Sequence, residues 1–195
     1  MAKPRQVLIP ELEEIESEMA RVRRKGKYRQ ALRGTVGTVV VVLALAVLVA
    51  TLLLPVLRIT GTSMQPGFQP GDIIVGCKTD RFLPGDICAF YFNNKLIIKR
   101  VIALGGDVVE IDENGRVTVN DLLLEEPYVT AYDFGLCDID FPFTVPLDQY
   151  FVLGDNRETA VDSRAKDFGC VSLSDMVGKV MLRVWPLNRL TYYGM

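Results

Sequence analysis

The sequence predicts a mainly β fold, an antiparallel all-β domain behind one N-terminal transmembrane helix. Three observations carry this expectation. Residues 34–57 form a run without a single charge, flanked by Arg33 and Arg58. Beyond Arg58 the apolar residues fall in short clusters separated by Pro-Gly, Asn-Asn and Gly-Gly turn signals. No stretch after Arg58 has the periodicity of a long amphipathic helix.

Residues 1–33 read as a cytoplasmic basic and amphipathic helix. Leu8, Leu12, Ile15, Met19 and Val22 recur at alternating spacings of four and three, which aligns one apolar stripe. Five glutamates between Glu11 and Glu18 give way to seven basic residues between Arg21 and Arg33. The segment 34–57 follows as the membrane span. A helix of that length reaches roughly 36 Å, enough for a hydrocarbon core of about 30 Å with some tilt. It is longer than the apolar region of a cleaved leader, about 7–15 residues. The excess of Lys and Arg before the span, against Arg58 alone just after it, places the N-terminus in the cytoplasm. Residues 58–195 are then expected on the far side.

That domain reads as strands in order. Asp72–Cys77, Asp86–Phe92 and Leu96–Ile102 come first, followed by Val108–Ile111, Val117–Val119, Tyr150–Leu153 and Val177–Trp185. Pro70-Gly71-Asp72 and Pro84-Gly85-Asp86 repeat one turn-to-strand signature. Residues 121–146 lack periodicity and read as an insertion or extended loop. The acidic balance of this part argues against a nucleic-acid partner, because phosphate contacts need clustered Lys and Arg. The chain has four cysteines without C-x-x-C spacing and no histidine, so no metal site is expected. Cys77 and Cys88 fall in apolar strands, where a thiol packs as a small hydrophobe.

The absence of histidine also excludes a Ser-His-Asp triad. Ser63, in Gly61-Thr62-Ser63-Met64-Gln65-Pro66, is the serine around which the chain can be read. Its flanks do not form a nucleophile elbow, since Gln65 stands where a second glycine would be. A base for such a serine is then Lys, Asp or Glu. Keeping a lysine neutral at pH 7 costs roughly 4.6 kcal/mol against its ordinary pKa. Burial in an apolar site supplies shifts of about 3–5 pH units. Of the five lysines beyond the membrane, only Lys99 and Lys179 lie in apolar strands. Pattern alone leaves the two open. A third cluster runs from Gly154 to Arg164. In isolation it reads as a surface turn whose Asp162 and Arg164 form a weak ion pair.

Taken in order, these segments resemble bacterial type I signal peptidases, membrane-bound serine proteases with a Ser-Lys dyad. Ser63-Met64-x-Pro66 is similar to the family's nucleophile box, and Lys99-Arg100-Val101 through Gly106-Asp107 to its lysine box. Gly154-Asp155-Asn156-Arg157 followed by Asp162-Ser163-Arg164 is similar to its third signature. The resemblance implies Ser63 as nucleophile and Lys99 as general base. It implies Ser63, Gly61 and Met64 as substrate-binding or oxyanion residues, with Met64 lining the pocket for the −1 side chain. Asp155, Ala160, Asp162 and Arg164 are implied as supporting residues. Ala160 stands where many members carry a serine that orients the lysine, and Gly61 where some carry a hydroxyl. The implied substrates are exported preproteins with small residues at −3 and −1, the implied surroundings a lipid bilayer, and no cofactor or metal is expected. A non-catalytic β-domain that binds export substrates is the alternative reading.

Overall fold

A computed structural model describes residues 12–194; the sequence-derived readings for residues 1–11, including Leu8 of the apolar stripe, lie outside the described residues. The chain divides after Ala50 into a helical unit and a β unit.

The described residues of the helical unit belong to one uninterrupted helix, α1, Leu12–Leu53. The boundary drawn at residue 33 is therefore a change of chemistry and not of conformation. Among the described residues, Arg21–Val49 is the one helical stretch long and apolar enough to cross a membrane. The described side chains of α1 are exposed, including Met19 and Val22 of the stripe, whereas a core helix would bury them. The C-terminal bound of the expected span is corrected: α1 stops at Leu53, not Leu57. Pro55 supplies no N–H and disfavours helical backbone at Leu54. Val56–Arg58 instead forms strand β1, paired antiparallel with Ile73–Cys77.

The β unit holds two antiparallel sheets. The larger is built from β1, β2 (Ile73–Cys77), β3 (Ile87–Phe92), β4 (Lys95–Leu104), β9 (Gln149–Leu153), β10 (Val171–Ser172) and β11 (Met176–Trp185). Its spatial order is β1-β2-β11-β3-β4-β9-β10, with β12 (Thr191–Tyr192) paired to β11. The smaller has order β7-β6-β5-β8, from β5 (Val108–Ile111), β6 (Val117–Val119), β7 (Leu122–Leu123) and β8 (Phe143–Thr144). The expected antiparallel β architecture holds. Residues 121–146, expected as an insertion or loop, contribute β7 and β8 to the second sheet. Two-residue strands carry no periodicity to read.

Turn chemistry sets where the strands begin. Gly71 and Gly85 have φ of +98° and +94°, which only glycine adopts without strain. The carboxylates of Asp72 and Asp86 then accept the N–H of Gln69 and Leu83, three residues back, at 3.0 and 2.9 Å. Gly106-Asp107 repeats the device, with Asp107 accepting from Leu104 N–H at 2.8 Å. Three starts, to β2, β3 and β5, thus share one local solution.

Three apolar clusters fill the unit. Ile102, Val109, Val117 and Phe151 pack between the two sheets. Cys88, Phe90, Val101 and Val152 form a second core with Phe168. Ile59, Met64, Phe68, Ile74, Ile87 and Val180 form the third, and this one fixes the segment that carries Ser63. All four cysteines are free; Cys88 is fully buried, as expected for a core thiol, while the others are partly exposed.

Candidate active site

Ser63 lies just beyond β1. Ile59 exchanges backbone hydrogen bonds with Asp72 and Gly71 at 2.8 Å, and the chain then turns once, closed by Phe68 N–H to Met64 carbonyl at 2.9 Å. Met64 and Phe68 point inward, each 1% exposed, so two buried side chains hold the turn from below. Ser63 is left half-buried. Gly61 is exposed, and a side-chain carbon built there meets nothing within 4 Å. Its lack of a side chain is not demanded by the fold and leaves open space beside Ser63.

Lys99 projects from β4 and is 3% exposed. Burial is the main cause that lowers its pKa from 10.5 to about 8; Arg164 adds to the fall, while Asp162 and Asp155 oppose it. Lys179, the other candidate, forms an ion pair with Asp86 at 2.5 Å. The structure therefore separates two lysines that the residues alone leave equal.

Gly154 brings the serine segment and the lysine together. A carbon built on Gly154 would lie 2.6 Å from the Ser63 carbonyl oxygen and 3.4 Å from Lys99 Nζ, and would collide with Ala160 Cβ. The Ser63 carbonyl also accepts the Asn156 N–H at 3.0 Å. The loop after β9 is thus tied directly to the serine turn. Among the described residues, no hydrogen bond joins Ser63 Oγ to Lys99 Nζ.

The supporting residues lie beneath this point. The Gly154 N–H donates to Asp162 Oδ2 at 3.0 Å, and its carbonyl accepts from Arg157 Nε at 3.0 Å. Asp162 and Arg164 form a two-point pair at 2.8 and 2.9 Å, both fully buried. The expectation of a weak surface pair is corrected: Arg164 also donates to the carbonyls of Phe134 and Arg157, which enclose it. Asp155 binds Arg100 at two points, 2.8 and 2.7 Å. Its burial nonetheless raises its pKa, with the Arg100 pairing opposing. Ala160 is 1% exposed and presents only a methyl group. Glu126, Tyr128, Arg157 and Asn156 also belong to this cluster. Glu126 and Tyr128 come from the aperiodic stretch, which offered no signal for them.

A groove of about 190 Å³ opens at Ser63. Residues 57–61 form one wall, Leu96–Ile98 the other, and Ser63 with Met64 the floor. Each wall includes a strand edge. β1 is outermost in its sheet, with β2 as its partner. β9 joins β4 only from Arg100 onward, which leaves Leu96–Ile98 unpaired on that side.

Residues 32–185 match the family described as signal peptidase, peptidase S26. Signal peptidase IB of Staphylococcus aureus strain MRSA252 is 36% identical over 154 residues, covering 69% of this chain and 79% of that protein. Signal peptidase I of Leptolyngbya laminosa is 35% identical over 153 residues, covering 70% and 71%. A crystal structure of a signal peptidase I from Enterococcus faecalis V583 is 30% identical, covers 51% of this chain and 96% of that one, and has a TM-score of 0.43. The chain belongs to the S26 family of signal peptidases.

Proposed function

We propose that this protein cleaves signal peptides from exported preproteins, after small residues at −3 and −1, with Ser63 as nucleophile and Lys99 as general base. The observation that carries this reading is the buried Lys99 amine beside the backbone of Ser63, both against Gly154. A pKa near 8 leaves a useful fraction of that amine neutral at working pH.

Neutral Lys99 takes the Ser63 proton as Oγ attacks the scissile carbonyl. The Ser63 backbone N–H stabilises the oxyanion. The tetrahedral adduct collapses, the C–N bond breaks, and protonated Lys99 returns the proton to the departing amine. An acyl-enzyme remains, with the signal peptide as its acyl part. Lys99 then takes a proton from water, whose oxygen attacks the ester; the ester C–O bond breaks, and protonated Lys99 returns the proton to Ser63 Oγ. Catalytic hydrogen bonds are often long before substrate binds and tighten in the complex, so the unformed Oγ–Nζ bond fits this role.

The groove suits a peptide in extended form. Its backbone would pair with the free edges of residues 57–61 and Leu96–Ile98, in the manner of an added strand. Met64 at the floor would limit the −1 side chain. The charge-free part of α1 from residue 34 onward acts as a single membrane span with the N-terminus in the cytoplasm, and the β unit works on the far side.

Purified full-length protein with a preprotein tests this directly, as wild type against Ser63→Ala and Lys99→Ala. Cleavage by wild type alone supports the assignment. Equal cleavage by all three ends it, and none by wild type leaves the non-catalytic alternative that Ala160 invites.

A further inference from the structure

Residues 121–146 read as an insertion or extended loop in sequence, yet two of their side chains bind the arginines that hold Gly154 and Asp155. Glu126, 3% exposed, receives both ends of the Arg157 guanidinium, at 2.5 and 3.2 Å. Arg157 in turn donates to the Gly154 carbonyl. The Tyr128 hydroxyl donates to the same Glu126 carboxylate at 3.0 Å. The Tyr128 ring lies under Arg100, whose guanidinium carbon is 3.8 Å from the ring centroid. Arg100 grips Asp155 at two points and the Gly85 carbonyl at 2.9 Å.

The two chains of contacts therefore end on adjacent residues. One ends on the Gly154 carbonyl, the other on the Asp155 carboxylate. Gly154 is the residue against which the Ser63 carbonyl and the Lys99 amine both rest. A shift of this peptide disturbs the packing of both the Ser63 backbone and the Lys99 amine. On the proposed Ser63–Lys99 reading, we infer that Glu126 and Tyr128 are positioning residues for cleavage, acting through Arg157 on Gly154 and through Arg100 on Asp155.

Glu126 is the acid that pairs with Arg157. Without it, a buried guanidinium keeps its single bond to the Gly154 carbonyl and must seek another acceptor. Tyr128 contributes in two separable ways, the hydroxyl to Glu126 and the ring to Arg100. The groups that bear electrostatically on the Lys99 amine are Asp162, Arg164, Asp155 and Cys88. Three of these touch the network: Asp155 through Arg100, Asp162 through the Gly154 N–H and Arg164 through the Arg157 carbonyl.

The test uses full-length protein and a preprotein with alanine at −3 and −1, comparing wild type with Glu126→Gln, Tyr128→Leu, Tyr128→Phe and Lys99→Ala. Steady-state kcat and KM are measured across pH, together with thermal unfolding. Glu126→Gln and Tyr128→Leu are expected to lower kcat about tenfold or more with KM nearly unchanged, as misplacement of reacting groups does. The acid limb of the rate profile should move to higher pH, because a loosened site lets water reach the amine. Tyr128→Phe keeps the ring over Arg100 and should retain most of the activity. Wild-type kcat and an unmoved acid limb in Glu126→Gln and Tyr128→Leu would overturn the inference, even with a lower unfolding temperature. A raised KM at unchanged kcat would do the same. If Glu126→Gln does not fold, Tyr128→Leu against Tyr128→Phe decides by the same criteria. Inert variants beside an inactive Lys99→Ala would sink this inference alone, whereas an active Lys99→Ala would remove the dyad itself.

Discussion

Replacing Lys99 by methionine should make the β unit more stable while abolishing cleavage. The side chains are similar in length, so the substitution chiefly removes the amine from a largely buried site. The fall in pKa from 10.5 to about 8 measures what folding costs the charged form, and it already includes the opposing pull of Asp162. At 1.36 kcal/mol per pH unit this is about 3 kcal/mol, to order of magnitude. Its pH dependence follows from linkage. Below about pH 8 the amine is protonated in both folded and unfolded chains, and the full penalty is present. Between about pH 8 and 10.5 only the unfolded chain holds the proton, so wild-type stability rises by about 1.4 kcal/mol per pH unit. The advantage of Lys99→Met should therefore be near its maximum at about pH 7 and shrink steadily above about pH 8. Trp185, the single tryptophan, lies in β11 and reports denaturant unfolding of this unit by fluorescence. A variant no more stable than wild type near neutrality would refute the reasoning. So would an advantage that stays constant as the pH is raised.

Three further outcomes follow from the same geometry. Gly154→Ala places a carbon 2.6 Å from the Ser63 carbonyl oxygen. It should lower kcat by about a hundredfold while costing only about 1–3 kcal/mol of stability in an unfolding titration. Ala160→Ser adds a hydroxyl beside the point that the Lys99 amine approaches, and turnover should rise about fivefold, the worth of one neutral hydrogen bond of about 1 kcal/mol. Unchanged turnover would place that hydroxyl out of reach. Lys179→Met removes the ion pair with Asp86 and leaves Lys99 in place, so kcat/KM should stay within about twofold. Its loss would return the base assignment to that residue.

The fold is legible where residues follow a local rule. Apolar runs such as Ile73–Cys77 and Ile87–Phe92 announce strands, and the repeated Pro-Gly-Asp turns mark two of their starts. Strands β1, β8 and β10 are not legible, because two or three residues pair only when a partner edge is already present. The charge-free run reveals a helix, but charge cannot tell that the same helix extends back to Leu12. The site divides in the same way. Lys99 and Lys179 occupy similar apolar strands, and what separates them is Asp86, more than ninety positions from Lys179 in the chain. The order of the three boxes selects Lys99 through resemblance and not through pattern. Asp162 and Arg164 look like a surface turn until the carbonyls of Phe134 and Arg157 close over them. Glu126 and Tyr128 have no local signature, since their meaning lies wholly in Arg157 and Arg100.

The two bare strand edges beside Ser63 have a consequence for what can be recognised. Main-chain N–H and C=O groups are the same in every polypeptide, so a cleft walled by them accepts many unrelated sequences at similar cost. What it rejects is shape. A segment held in a helix must unwind before it fits, and a proline at a paired position forfeits the donor that the wall needs. Selectivity of this kind tests conformation first and side chains second, at the few places where a pocket floor is near.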